Sequence, residues 1–269
     1  LVRSRGLGDV YKRQIRGSEQ RKLQAFCPQC MQETIIRDGE RLNEEAESKD
    51  NYLKTYDVLM RDSTIPNDLR EATFENFIVK TKEEEQLLSF AKNQVEKYLQ
   101  GMTGNTLITG STGVGKSHLS ISMAKALNEA YRLKNEPKSV LFVTFTDIVN
   151  KIQDGWNYGK NSSFTKHNAV ELLTSPDYLI IDDLGAKNAV VKAKNDWEQD
   201  LLFDVLNNRE STIINTNLSG DELNKVYNER NYSRILKGLE GNTFKIYSIK
   251  DKRYSINQLK SQQGSKGVN

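Results

Sequence analysis

The chain has 269 residues, of which 36% are hydrophobic and 28% charged, and it carries a formal net charge of +3. Its size suits one large domain or one domain plus a small appendage, and its apolar content excludes a wholly disordered chain. The longest apolar runs, such as 140–143 and 178–181, are four or five residues, far short of the ~20 needed to cross a bilayer. No secretory signal precedes the fold, so a soluble, cytoplasmic protein with no membrane partner is expected. Two cysteines three apart fit a reducing compartment without a disulfide framework.

Residues 1–22 hold seven cations, Arg3, Arg5, Lys12, Arg13, Arg16, Arg21 and Lys22. The stretch 1–14 has no hydrophobic period and no helix cap, and it is expected to be a non-native leader. Removing it takes away four cations and one acid, so +3 falls to about zero. Any nucleic-acid contact must then come from local sites. Residues 15–64 read as a polar partner-binding region and linker, with a helix near 41–60 and a break at 63–66. From 65 to 250 short apolar strands alternate with amphipathic helices. A helix at 82–100 is followed by a strand at 106–109, a helix at 116–134 and a strand at 140–145. Asp147 is placed to cap the next helix. A strand at 179–181, a helix at 197–208, a strand at 212–215, a helix at 220–227 and a strand at 244–249 complete the series. This pattern predicts an α/β fold in three layers, with a five-stranded parallel sheet between helices. Residues 251–269 read as a basic polar tail.

Between the strand at 106–109 and the helix at 116 lies Gly110-Ser111-Thr112-Gly113-Val114-Gly115-Lys116-Ser117, a full match to G-x-x-x-x-G-K-[ST] in the required context. Glycines let backbone N–H groups close around phosphate oxygens, and the helix N-terminus adds unpaired donors. Lys116 supplies a cation for the β- and γ-phosphates, and Ser117 a hydroxyl for Mg²⁺. His118 follows on the same helix and is grouped with the nucleotide-binding residues. The strand Tyr178-Leu179-Ile180-Ile181 ends in Asp182-Asp183. In a parallel sheet such an end faces the ligand, so Asp182 is assigned to Mg²⁺ and Asp183 to orienting the attacking water and accepting its proton. Asn217, beyond the strand at 212–215, can hydrogen-bond that water or the γ-phosphate, or simply cap the helix near 220. Arg230 and Arg234 lie four apart, so both project from one helix face. They are suited either to a neighbour's γ-phosphate or to surface pairing with Glu229 and Glu240.

In this order the elements resemble AAA+ ATPases of the DnaC/DnaI helicase-loader and IstB-like family over about 65–250. The resemblance implies ATP and Mg²⁺ as cofactors and a lidless ATPase domain. It implies Asn217 as sensor 1, Arg234 as the arginine finger with Arg230 its companion, and Ala72-Thr73-Phe74-Glu75-Asn76-Phe77 as a base-contacting segment, with Phe74 and Phe77 as its aromatics. Cys27-Pro-Gln-Cys30 resembles half of the zinc site of DnaI-type loaders, making Cys27 and Cys30 candidate zinc ligands; tetrahedral zinc needs four. Residues 151–170 hold Lys151, Trp156, Tyr158, Lys160, Phe164 and Lys166. That mixture either binds single-stranded DNA or forms a polar helix and loop over the sheet. The implied function is ATP-dependent loading of a replicative hexameric (DnaB-type) helicase onto single-stranded DNA, with homo-oligomerisation through the ATP sites, in a bacterium or phage. The alternative is an IstB-type transposition helper acting on duplex DNA.

Overall fold

The computed structural model of the protein describes residues 28–157, 164–185, 195–249 and 251. The chain divides into two units, Leu1–Leu53 and Lys54–Asn269. The described part of the first, 28–53, lies within α1 (Pro28–Lys54), a 27-residue helix with proline at its first position, where the missing N–H costs nothing. It starts earlier than the sequence pattern suggests and stops sooner. Val58–Arg61 is a separate turn, α2, whose Leu59 is buried in the second unit. The 1–14 leader, Cys27 and the 252–269 tail lie outside the described residues. Among those described, no group of three or more His, Cys, Asp or Glu is placed to hold a metal.

The second unit is organised by five parallel strands in the order β2-β3-β4-β1-β5. They are β1 (Thr106–Thr109), β2 (Val140–Thr144), β3 (Tyr178–Leu184), β4 (Thr212–Thr216) and β5 (Thr243–Lys245). Alternation along each strand sorts side chains to two cores, the period-two rule of a covered sheet. Val140, Phe142, Ile108, Ile180 and Ile213 join one cluster, with Leu59 of α2, Leu87 of α3 (Lys82–Leu99) and Leu119 of α4 (Lys116–Lys134). Leu107, Leu141, Val143, Leu179, Ile181 and Ile214 join the other. That second core is covered by α5 (Phe145–Asn157), α6 (Lys166–Thr174), α7 (Asp196–Asn207), α8 (Gly220–Val226) and α9 (Glu229–Ile235). The three-layer α/β fold with a five-stranded parallel sheet is therefore as expected.

Four details differ from the sequence pattern. α5 begins at Phe145 directly from β2, so Asp147 lies in its first turn and is not a cap. The nine-residue α6 was not anticipated because it is shorter than three turns; a capping box between Thr165 and Asn168 starts it. β3 runs on to Leu184. β5 is only three residues, because after Ile246 N donates to Thr109 O (2.8 Å) the chain leaves the sheet. Tyr247 N and Ser248 N then donate to the Glu83 carboxylate at 2.8 and 2.9 Å, fixing a strap to the first turn of α3. Among the described residues no helix follows β5.

Candidate active site

The sheet order places β4 between β1 and β3. The end of β4 therefore stands between the phosphate loop after β1 and the acids that end β3. At the loop, Gly113 (φ 77°) and Gly115 (φ 100°) adopt left-handed backbone. A Cβ at Gly115 would stand 2.7 Å from Phe77 Cε2, and one at Gly113 would collide with the Asp251 carboxylate, so both positions require glycine. α4 opens directly after this loop. Its first residue, Lys116, is 6% exposed, and Nζ donates to Gly110 O and Ser111 O at 2.7 Å and to Asn217 Oδ1 at 2.6 Å.

Two successive strand residues ordinarily face opposite ways. At Asp182-Asp183 that rule is broken. Pairing of β3 with β4 skips from Ile181 to Leu184, and Asp183 has φ 57°, a left-handed conformation rare outside glycine and typical of functional sites. Both acids are consequently reached from the same edge of β4. Asn215 Nδ2 donates to Asp182 Oδ1 (2.7 Å), and Asn217 Nδ2 donates to Asp183 Oδ1 (2.9 Å). Burial pushes the Asp182 carboxyl above its ordinary range, against the hydrogen bonds from Asn215 and Ser117 that favour its ionised form. A buried carboxylate bonded to Ser117 and opposed by desolvation suits a divalent cation, whose charge would offset the burial penalty. ATP and Mg²⁺ thus fit the donor set: loop amides, Lys116, Ser117 and Asp182.

Asn215 was missed in the sequence. It is fully buried, and its Nδ2 also donates to Ser120 Oγ of α4 (2.6 Å), so it ties the acid strand to the phosphate-loop helix. Its signal was available as a polar residue in the most apolar stretch of a central strand. Asn217 does not cap α8; Ser219 does, in a capping box with Glu222.

The 72–77 segment meets the same helix. His118 Nε2 and Thr73 O are 2.9 Å apart, and Asn76 side-chain bonds to Thr73 N and Glu71 O hold the turn. Phe77 is 7% exposed and meets His118 edge-on at 5.3 Å. Most of its surface is therefore spent on packing beneath the phosphate loop. Phe74 is half-buried, with Lys92 Nζ 5.8 Å from its ring centroid.

Arg230 and Arg234 lie on α9, four apart as expected. Neither Glu229 nor Glu240 forms an ion pair with them. Instead Arg230 Cζ stands 3.8 Å and Arg234 Cζ 5.8 Å from the ring centroid of Phe203 on α7. The end of α9 is held from the root of β1. Asn105 Nδ2 donates to Arg234 O (2.8 Å) and Ile235 O (3.1 Å), and Asn105 N donates to Lys237 O (2.8 Å).

Of the 151–170 residues, Trp156 is 59% exposed and packs edge-on against Trp197 at 4.8 Å. Lys166 is paired with Asp204 (2.8 Å), Phe164 packs against the second core, and Lys151 is exposed. Tyr158 and Lys160 lie outside the described residues.

A phosphate loop, a strand-end acid pair and an intervening polar strand on this sheet define an AAA+ P-loop ATPase. The family model described as IstB-like ATP binding protein matches residues 42–257, more than half of the chain. The chain belongs to that family. No curated protein matches in sequence. Among solved structures, the DnaC helicase loader is 22% identical with TM-score 0.49, over 68% of this chain and 100% of that one. AMPPCP-bound DnaA from Aquifex aeolicus is 23% identical (TM-score 0.50; 72% and 56% covered). A replication initiator DnaA bound to AMPPCP and single-stranded DNA is 20% identical (TM-score 0.51; 72% and 55% covered). The chain thus spans little more than half the length of the DnaA proteins, and at these identities the likeness is one of fold. No helix among the described residues is long and apolar enough to cross a membrane.

Proposed function

We propose that the protein uses ATP–Mg²⁺ to load a replicative hexameric helicase of the DnaB type onto single-stranded DNA at the initiation of replication. The observation that carries the reading is the division of labour within one chain. The phosphate loop and the acid pair stand at one end of the sheet, while the two arginines of α9 have no ion-pair partner among the described residues. Such a chain completes its site by joining a second copy head to tail, with Arg234 as the finger and Arg230 beside it. Within the site, Lys116 would leave the Gly110 and Ser111 carbonyls to meet the β- and γ-phosphates, while Ser117 and Asp182 would hold the metal. Mg²⁺ would neutralise phosphate charge. Asp183 accepts the proton of the attacking water, which Asn217 orients through the amide that already spans Lys116 and Asp183. Phe74 and the turn at Thr73 border the base. Hydrolysis then serves as a release switch.

In the first unit, α1 exposes Met31, Ile35, Ile36 and Leu42, an apolar surface for the helicase. Cys27 and Cys30 would add a zinc site only with ligands from elsewhere. Trp156 with Trp197 offers a stacking platform for bases. The family match favours a second reading, an IstB-type helper that acts with a transposase on duplex DNA. Co-purification from cells expressing both a replicative helicase and a transposase separates the two readings. Retention of the helicase supports loading. Retention of the transposase alone overturns it.

A further inference from the structure

Phe203 was not singled out by its sequence, yet two cations converge on it. It lies on α7 one turn after Gln199, and residues four apart share a helix face. Gln199 fixes α9 and its N-cap to that face through three bonds and the end of α8 through a fourth. Its Oε1 accepts from Asn228 N (3.2 Å) and Asn231 Nδ2 (2.8 Å), its backbone carbonyl accepts from Asn231 Nδ2 (2.9 Å), and its Nε2 donates to Val226 O (3.0 Å). With α9 held there, the Arg230 guanidinium lies 3.8 Å above the half-buried Phe203 ring and that of Arg234 lies 5.8 Å from it. Arg234 Nε is buried without a hydrogen-bond partner. Both side chains border an open cavity of about 360 Å³, lined also by Glu229 and Ser233.

Two guanidiniums on adjacent turns repel each other, and each long side chain has many rotamers. A carboxylate partner would fix them but would also neutralise them. A ring face attracts a cation through its quadrupole and leaves its charge and N–H donors free for an anion. Glu229, on the cavity rim, is the competing partner that the ring denies them.

We infer that Phe203 is a positioning residue, a ring that holds Arg230 and Arg234 charged, unpaired and aimed for the polyphosphate of a neighbouring copy. The inference rests on the assembled-site reading above. A misplacement of ~1 Å can cost ~10²-fold in rate, so partial release of the pair should cost ~10-fold.

The test is steady-state ATP hydrolysis as a function of protein concentration, with kcat and KM for ATP measured separately for the full chain. Phe203→Leu keeps an apolar side chain without a π face. It should lower kcat at high protein concentration ~10-fold and leave KM within experimental error, while Phe203→Tyr restores kcat. In an Arg230→Ala/Arg234→Ala background, Phe203→Leu should cause no further loss. Unchanged kcat in Phe203→Leu, an additive loss in the triple variant, or failure of Phe203→Tyr to restore it would each overturn the inference. Arg234→Ala tests the underlying reading by itself. If hydrolysis stays concentration-dependent and undiminished in that variant, the assembled site is wrong whatever Phe203 does.

Discussion

Asn217→Ala tests the active-site geometry most directly. Its amide accepts from Lys116 Nζ at 2.6 Å and donates to Asp183 Oδ1 at 2.9 Å, so one neutral side chain joins two ionised ones. Hydrogen bonds to charged groups contribute ~1.5–3 kcal/mol each. In the resting site Lys116 keeps the Gly110 and Ser111 carbonyls after truncation, whereas Asp183 loses the amide that orients it. If one such bond persists in the transition state, the barrier rises by ~1.5–3 kcal/mol and turnover falls ~10- to ~150-fold. Nucleotide affinity should change little, since the loop amides and Lys116 are retained. The assay pairs ATP turnover at saturating ATP–Mg²⁺ with equilibrium titration of a fluorescent ATP analogue. Turnover equal to wild type, or matched losses in turnover and affinity, would show that Asn217 only steadies the resting lysine.

Gly115→Ala puts a Cβ into left-handed backbone and against Phe77. The strain alone is ~1–2 kcal/mol, and the loop is expected to shift and weaken nucleotide binding ~10-fold or more, with partial recovery in Gly115→Ala/Phe77→Leu, both read by titration. Arg209→Met should destabilise the fold by about 3–4 kcal/mol and lower Tm by roughly 10 °C. The buried Arg209 guanidinium donates to Leu173 O, Thr174 O, Pro176 O and Asp177 O, and burial pulls its pKa down to about 10, still cationic at neutral pH. Thermal melting checks it. Glu83 is held below its ordinary range by the Ser248 hydroxyl and then by strap amides. A depressed acid stabilises above its unfolded pKa and loses that contribution as pH falls through the folded value. Exchange of the Tyr247 and Ser248 amides should therefore accelerate on acidification, relative to reference amides elsewhere, and Glu83→Gln should flatten that response.

The phosphate loop was legible because its chemistry needs fixed residue types at fixed spacing, which leaves a contiguous signature. The same holds for Asp182-Asp183 and for the parallel strands, whose apolar runs are set by burial on both faces. Residues that act across the sheet left less trace. Asn215 and Phe203 gain their roles from β4 lying between β1 and β3 and from α7 lying beside α9, and neither relation is local in sequence. β5 was overestimated because the alternation at 244–249 continues after the ladder ends. Ile246 and Ile249 are buried because the strap lays them on the first core, not by strand pairing. α6 was overlooked because a short helix owes its stability to caps and contacts more than to period.

Asn105 gives the arginine helix a mechanical property. It grips the carbonyls of Arg234 and Ile235 with its side chain and that of Lys237 with its backbone, and β1 begins at the next residue. Four strand residues, about 13 Å at ~3.3 Å each, separate that grip from the phosphate loop. A force applied to α9 is therefore delivered to the base of the chain's own nucleotide cradle along a buried strand, which extends far less readily than a loop. Tension travels equally well in the opposite direction, so coupling between the two ends is reciprocal. In the head-to-tail assembly proposed above, such chains would behave as links under load, each meeting through one rigid strand what its neighbour holds.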